Sequence, residues 1–277
     1  MAEKLTAEKI AELEKRAKAV RRSIVSAVTE AKSGHPGGSL SAADIVTVLY
    51  FAEMKNDPHA PEDPDRDRFV LSKGHAAPVL YATLAERGYF PHSELMTLRK
   101  IDSRLQGHPS MKALPGIDMS TGSLGQGLSA ASGMALAGQI DGRDYRVFAV
   151  LGDGELEEGM VWEAAMFAAH YKLDNLTAFV DYNGLQIDGP VAEVMSPLPI
   201  PEKFLAFGWN VLEIDGHDVA QIYDAIQTAK NVKGKPTVIV ARTVKGKGVC
   251  EMENVADWHG KAPSSEECIN FLSQLED

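Results

Sequence analysis

A chain of 277 residues with 44% hydrophobic and 24% charged positions is long enough for a sizeable core and ordinary in make-up for a globular protein. Its formal net charge of −11 excludes a binder of nucleic acid or of anionic membrane. That charge leaves room for a small anionic ligand, because a metal and a few local lysines can set the field inside one cleft.

No apolar run is long enough for a transmembrane helix. The charged start MAEKLTAEKIAELEKRAK lacks a signal-peptide core. The two cysteines, Cys250 and Cys268, have no metal or redox spacing, so a reduced cytoplasmic protein is expected.

In chain order, Leu5–Lys32 predicts a long helix capped by Thr6 and stopped near Gly34. Ser33–Ser39 is too rich in Gly and Pro for a helix and is expected as a loop carrying His35. Ser41 is expected to cap a second helix running to about Ala52. After a Pro- and Asp-rich loop from Asn56 to Asp67, Arg68–Leu71 predicts a short strand. Ser72-Lys73-Gly74-His75 then leads into a helix from Ala76 to about Arg87. Arg99–Thr121, with His108, has no periodicity, and so long an irregular segment inside a domain predicts an ordered, ligand-lining loop. Gly122-Ser123-Leu124-Gly125-Gln126-Gly127 opens an Ala- and Gly-rich helix to about Gln139. Its glycines allow close backbone approach, and its small residues suit tight helix packing.

Arg146–Leu151 predicts a buried strand, followed by the turn Gly152-Asp153-Gly154 and a helix with Leu156, Met160, Ala164 and Phe167 as its apolar stripe. Leu176–Asp181, Val211–Ile214 and Thr237–Ala241 predict further strands, with a helix at Val219–Asn231. The basic loop Arg242–Val249, the triplet Trp258-His259-Gly260 and a Ser-capped helix at Ser264–Leu275 complete the chain. Strands alternating with helices predict an α/β fold, a mainly parallel sheet with helices on both faces, in a single domain over 1–277.

In such sheets ligands bind beyond the carboxyl ends of the strands. Asp153 sits there, where a helix start and small glycine turns suit a phosphate. A carboxylate repels phosphate unless a divalent cation lies between them. Asn183 ends the next strand, with room for one crossover helix before it, so both side chains face one crevice. An Asp oxygen, an Asn amide oxygen and a backbone carbonyl are hard ligands suited to Mg²⁺ or Ca²⁺, with phosphate oxygens completing the shell.

GDG with a downstream Asn resembles the thiamine-diphosphate motif. The segments SGHPGG, RFVLSKGHAAPVLYA, GHPS, TGSLGQGLSAA, LGDGELEEGMVWEA, YKLDNL, KGKGV and WHGKAP, in that order, resemble transketolase from about Ala17 to Pro263. The resemblance is to that family's N-terminal, diphosphate-binding domain. It implies thiamine diphosphate and Mg²⁺ as cofactors, with Ca²⁺ or Mn²⁺ as substitutes, the metal being held by Asp153, Asn183 and the Leu185 carbonyl. It places His75, Lys73, Gly122, Ser123, Leu124, Gly154 and Glu155 at the cofactor. His35, His108 and His259 would face the sugar beside Lys245, and Glu158 and Glu163 would lie near the subunit interface and couple two active sites, Glu158 counted with the catalytic residues; on the residues alone both are equally read as solvated helix charges.

The family's pyrimidine-binding domain and its phosphate-gripping arginines have no counterpart after Pro263. The resemblance therefore implies a separately encoded C-terminal partner, two copies of each chain, and no activity without it. The expected reaction moves a two-carbon ketol unit from a ketose phosphate to an aldose phosphate, as in the pentose phosphate pathway.

Other readings are weaker. The alpha chain of a 2-oxo acid dehydrogenase first component, or a split 1-deoxyxylulose-5-phosphate synthase, shares the metal motif without the histidine segments. A haloacid dehalogenase-type phosphatase needs an early DxD that is missing. A zinc site from His35, His75 and His108 has dispersed spacing. A non-catalytic regulatory subunit would have little reason to retain every metal and histidine position.

Overall fold

The computed structural model describes residues 4–276, so Met1–Glu3 and Asp277, the ends of the expected domain, lie outside the described residues. Helix α1 (Ala7–Ala31) begins at Thr6, whose hydroxyl accepts the Lys9 amide, and ends at Lys32 in the left-handed region, two residues before Gly34. Helices α2 (Pro36–Ser41) and α3 (Ala43–Val48) follow, and a wider π turn over Leu49–Glu53 closes that segment. Strand β1 (Arg68–Leu71) leads through a short 3-10 turn into α4 (Ala77–Arg87). Next come α5 (Gln126–Ile140), β2 (Val147–Gly152), α6 (Gly159–His170) and β3 (Leu176–Tyr182). A small hairpin of β4 (Leu185–Gln186) and β5 (Gly189–Pro190) precedes α7 (Val191–Val194) and α8 (Ile200–Ala206). The chain then runs β6 (Asn210–Asp215), α9 (Val219–Asn231), β7 (Thr237–Arg242) and α10 (Ser265–Gln274).

The main sheet is parallel throughout, in the order β1-β2-β3-β7-β6. Because side chains alternate along a strand, its two faces feed two cores. On β2, Phe148 and Val150 join the core beneath α1, α3, α4 and α9, while Val147, Ala149 and Leu151 join the core beneath α5, α6 and α8. The α/β expectation holds, and every expected strand is present.

Three local expectations fail for tertiary reasons. Ser33–Ser39 is not all loop: Pro36 starts a helix at its first turn, and the glycines serve packing. A Cβ on Gly37 would lie 2.8 Å from the Trp258 carbonyl and 3.0 Å from Lys245 Cγ. Ser41 caps nothing; its hydroxyl donates to Asp181 at 2.6 Å. On α6 the buried stripe is Val161, Ala164, Ala165 and Ala168, while Met160 and Phe167 are exposed at 40% and 37%. Small residues there let α6 pack closely on α5, and the half-buried Trp162 turns aside onto Phe204 and Phe207.

The small residues of α5 behave as expected at its ends. A Cβ on Gly127 would come within 2.3 Å of Ser72 Oγ, and one on Gly138 within 2.9 Å of the Tyr145 ring.

Candidate active site

All strand ends that matter open on one side of the sheet. Beyond β1 lies Ser72–His75, beyond β2 the turn at Asp153, beyond β3 Asn183, and beyond β7 the loop with Lys245. Together with α2 and the segment before α5 they enclose a cavity of about 280 Å³. Its lining includes His35, Lys73, His75, Gly122, Leu124, Asp153, Gly154, Glu155, Asn183, Leu185, Lys245 and His259, all expected from the sequence. Ser123, His108 and Glu158 lie outside that lining. Glu158 is an exposed residue at the start of α6, as Glu163 is within it. The His108 ring instead backs Gly122, where a Cβ would lie 3.0 Å from it.

Asp153 is 2% exposed. One carboxylate oxygen accepts the Gly154 amide at 2.8 Å and the other the Gly184 amide at 2.6 Å. Burial, and next the Asp181 charge, push its pKa up to about 6. Asn183 Oδ1 accepts the Leu185 amide, and the Leu185 carbonyl accepts Lys245 Nζ at 3.2 Å. A buried carboxylate held above its ordinary range gains by facing a cation, and the amide and carbonyl oxygens beside it are of the hard kind. No cluster of three or more His, Cys, Asp or Glu that could hold a metal occurs among the described residues. The oxygen set around Asp153 contains one such residue and so is of a different kind. The cavity also has cradles that a methyl group would fill. At Gly38 a Cβ would sit 3.6 Å from Lys73 Nζ and 3.7 Å from His75 Nε2.

Three histidine rings meet across the cavity, with centroids 5.2 Å apart for His35–His75, 5.3 Å for His35–His259 and 5.1 Å for His75–His259. Burial and neighbouring cations keep them neutral. Burial, then Arg99, lowers His35 to about 4, and burial, then Lys245, lowers His259 to about 3. Burial, then Lys73, holds His75 well below the usual imidazole range. Burial, with Lys73 second, brings Lys245 down to about 8. Lys245 Nζ lies 2.9 Å from His259 Nδ1. An ammonium only donates, so His259 Nδ1 accepts and its proton sits on Nε2. The buried Nδ1 of His35 has no hydrogen-bond partner among the described residues.

Asp181, Arg99, Gln186 and Ile187 shape the site without having been singled out from the sequence, and the expected Lys73 and Glu155 make contacts that it did not show. Asp181, fully buried at the end of β3, pairs with Lys73 and accepts the hydroxyls of Ser41 and Thr243. Lys73 also donates to the Gly38 carbonyl at 2.7 Å, so two of its three ammonium protons are held by protein oxygens. Glu155 has both carboxylate oxygens occupied, by Ser72 Oγ and the Gly125 amide on one and by the Gly152 amide on the other. It ties together three turns that line the cavity. Arg99, in the left-handed region, donates to Ser33 Oγ and places its charge near His35 and His108. Gln186 and Ile187 complete the lining. Strand-end position marks Asp181 and Gln186 in hindsight; Arg99 lies in a segment without periodicity.

A parallel sheet whose strand ends gather a carboxylate, an amide and a ring of neutral histidines defines a domain built to hold a phosphorylated organic cofactor. The family model described as transketolase, thiamine diphosphate binding domain, matches residues 13–275. The 6-deoxy-6-sulfo-D-fructose transketolase subunit SqwG of Clostridium sp. (strain MSTE9) is 46% identical over 265 residues, 96% of each chain. One of the subunits of the apulose-4-phosphate transketolase of Phocaeicola vulgatus is 43% identical, over 89% of this chain and 88% of that one. Homo sapiens transketolase is 48% identical over 92% of this chain but only 40% of its own length. The crystal structure of Campylobacter jejuni transketolase superposes with a TM-score of 0.90 at 34% identity, covering 96% of this chain and 43% of that one. The chain belongs to the transketolase family and is similar to its thiamine diphosphate binding domain. It spans about two fifths of the full-length transketolases that it matches, and nearly all of the relatives named as subunits.

Proposed function

We propose that this chain is one half of a two-chain transketolase, residues 1–277 forming a single diphosphate-binding domain. In this reading it transfers a two-carbon ketol unit from a ketose phosphate to an aldose phosphate. The observation that carries the proposal is the convergence of Asp153, Asn183 and Leu185 with His35, His75, His259 and Lys245 on one cavity. Asp153, Asn183 and the Leu185 carbonyl would hold Mg²⁺ against the diphosphate, with His75 and the Gly122–Leu124 backbone beside it. Bound thiamine diphosphate supplies a carbon nucleophile that also serves as electron sink.

The chain's own residues handle protons and orientation. His35 lines the cavity and is neutral at physiological pH, so it is assigned to take and return the proton of the sugar hydroxyl next to the breaking C–C bond. His259, with Nδ1 engaged by Lys245, offers Nε2–H as a donor to a sugar oxygen. The Lys245 ammonium stabilises negative charge developing near it. His108, whose ring backs Gly122, is assigned to the donor's hydroxyl end, with the Arg99 charge near it.

A separately encoded partner is supported by the likeness along most of the length of relatives named as subunits; the assembly proposed has that partner as the C-terminal half, with two copies of each chain. Reduced thiols at Cys250 and Cys268 agree with a cytoplasmic setting, and no helix among the described residues is long and apolar enough to cross a membrane. The test is reconstitution: the purified chain alone should show no ketol transfer with xylulose 5-phosphate and ribose 5-phosphate, and adding its partner should produce it. Full activity of the chain alone refutes the two-chain reading. The likeness to SqwG supports a second donor, a ketose bearing sulfonate in place of phosphate. A higher kcat/KM for 6-deoxy-6-sulfo-D-fructose than for fructose 6-phosphate would select it.

A further inference from the structure

The loop that carries Lys245 into the cavity is anchored on three sides. The Thr243 hydroxyl donates to Asp181, the Gly246 amide donates to the Gly37 carbonyl at 3.0 Å, and the Val244 amide donates to His217 Nε2 at 2.8 Å. The third anchor has no part in the catalytic cavity. His217 lies beyond β6 and borders a separate surface cavity shared with Val244 and Lys247.

Its protonation pattern is fixed by its neighbours. A backbone N–H can only donate, so Nε2 is the acceptor and the ring proton sits on Nδ1. From there it donates to Asp44 Oδ2 at 2.7 Å. Asp44, 5% exposed, is in turn gripped by both terminal nitrogens of Arg21, at 2.9 and 2.5 Å. Burial raises the Asp44 carboxyl, but Arg21 and His217 outweigh it and hold it below its ordinary range. The carboxylate is therefore charged and, by accepting Nδ1–H, orients the ring so that Nε2 faces the Val244 amide, as carboxylates behind functional histidines do. The result is a line of hydrogen bonds from α1 through α3 to the backbone one residue before Lys245.

We propose that His217 is a positioning residue: held by Asp44 and Arg21, it fixes the Val244 amide and thereby sets Lys245 between the Leu185 carbonyl and His259 Nδ1. The catalytic consequence rests on the function proposed above; the hydrogen bond to Val244 does not.

The test compares His217→Phe, which keeps a flat ring without an acceptor, with His217→Gln, whose amide can accept from Val244 and donate to Asp44. In the full chain, hydrogen exchange at the Val244 amide should rise about tenfold or more in His217→Phe, with exchange in β7 unchanged, and return toward the wild-type rate in His217→Gln. In the assembled enzyme His217→Phe should lower kcat about tenfold with thiamine diphosphate affinity within about twofold of wild type, and His217→Gln should recover most of it. Unchanged exchange at Val244 in His217→Phe overturns the proposal. So does a fall in kcat that tracks equally reduced cofactor affinity and global stability, because that is a packing defect. Should His217→Phe not fold, the same readings on His217→Gln decide, with Val244 exchange above that of β7 by no more than in wild type as the supporting result and a loss of protection as the refuting one. A wild-type assembly without ketol transfer overturns the proposed function instead, and the exchange result still decides the positioning role.

Discussion

Replacing Lys73 by Met tests what holds the cavity wall together. Lys73 is 1% exposed and Asp181 fully buried, and their side chains form an ion pair. Removing one partner of such a pair leaves an uncompensated buried charge, at a cost of about 3–5 kcal/mol. The hydroxyls of Ser41 and Thr243 remain on Asp181, which places the expected loss toward the lower end. For a chain of this size that is a fall in Tm of about 6–20 °C. Neutralising the partner as well, in Lys73→Met with Asp181→Asn, keeps an acceptor for one hydroxyl and leaves the other to turn and accept from the amide NH2, and should recover about half of the loss.

The pH dependence follows from the sign of the shift. In the wild type, burial raises the Asp181 pKa but Lys73 outweighs it and the net pKa is lowered. Its contribution is thus fully present above the unfolded value of 3.8 and is lost as pH falls through the folded one. In Lys73→Met the paired cation is gone while burial and the Asp153 charge still oppose ionisation, so the charged form is disfavoured and the variant regains stability as pH falls and Asp181 takes a proton. Urea unfolding of both proteins without cofactor, at a series of pH values from 7 to 4, should show a gap that is widest at neutral pH and narrows in acid. A gap below about 1 kcal/mol, the worth of a surface pair, or one that is independent of pH, refutes the reasoning.

Asp153→Ala should weaken Mg²⁺-dependent thiamine diphosphate binding by more than about a hundredfold, since even groups outside the ligand sphere are worth 10–100-fold; calorimetric titration of the assembled enzyme reads it, and unchanged affinity sinks the metal assignment. His259→Ala should lower kcat by about 10²–10⁴ while the cofactor stays bound, in line with loss of a proton-handling group, and steady-state kinetics beside cofactor titration separates the two effects. Gly127→Ala forces a methyl onto Ser72 at a distance no Cβ tolerates, so overpacking should cost about 1–3 kcal/mol in denaturant unfolding; a neutral result would mean that α5 is free to shift away from β1.

The parallel α/β architecture, the strands and the cavity at their carboxyl ends were legible in the amino-acid order, because burial on both faces writes near-continuous apolar runs and polar residues cluster where those runs stop. Asp153, Asn183 and the glycine turns could be read for the same reason. Local sequence misled at Pro36–Ser41, where a Gly-rich segment becomes helix because only glycine fits between Trp258 and Lys245. It misled again on α6, where Val161 and alanines are buried and the bulky Met160 and Phe167 are exposed.

What only the tertiary structure decided is how the charges pair. Lys73 and Glu155 line the cavity as expected, and the structure adds that Lys73 pairs with Asp181 and that Glu155 ties three turns together; His217 belongs to no motif and reaches the Lys245 loop. Local periodicity decides which groups arrive at a strand end. Whether an ammonium there meets a ligand or a carboxylate depends on side chains brought from distant positions, and burial makes that pairing obligatory without leaving a trace in the neighbouring residues.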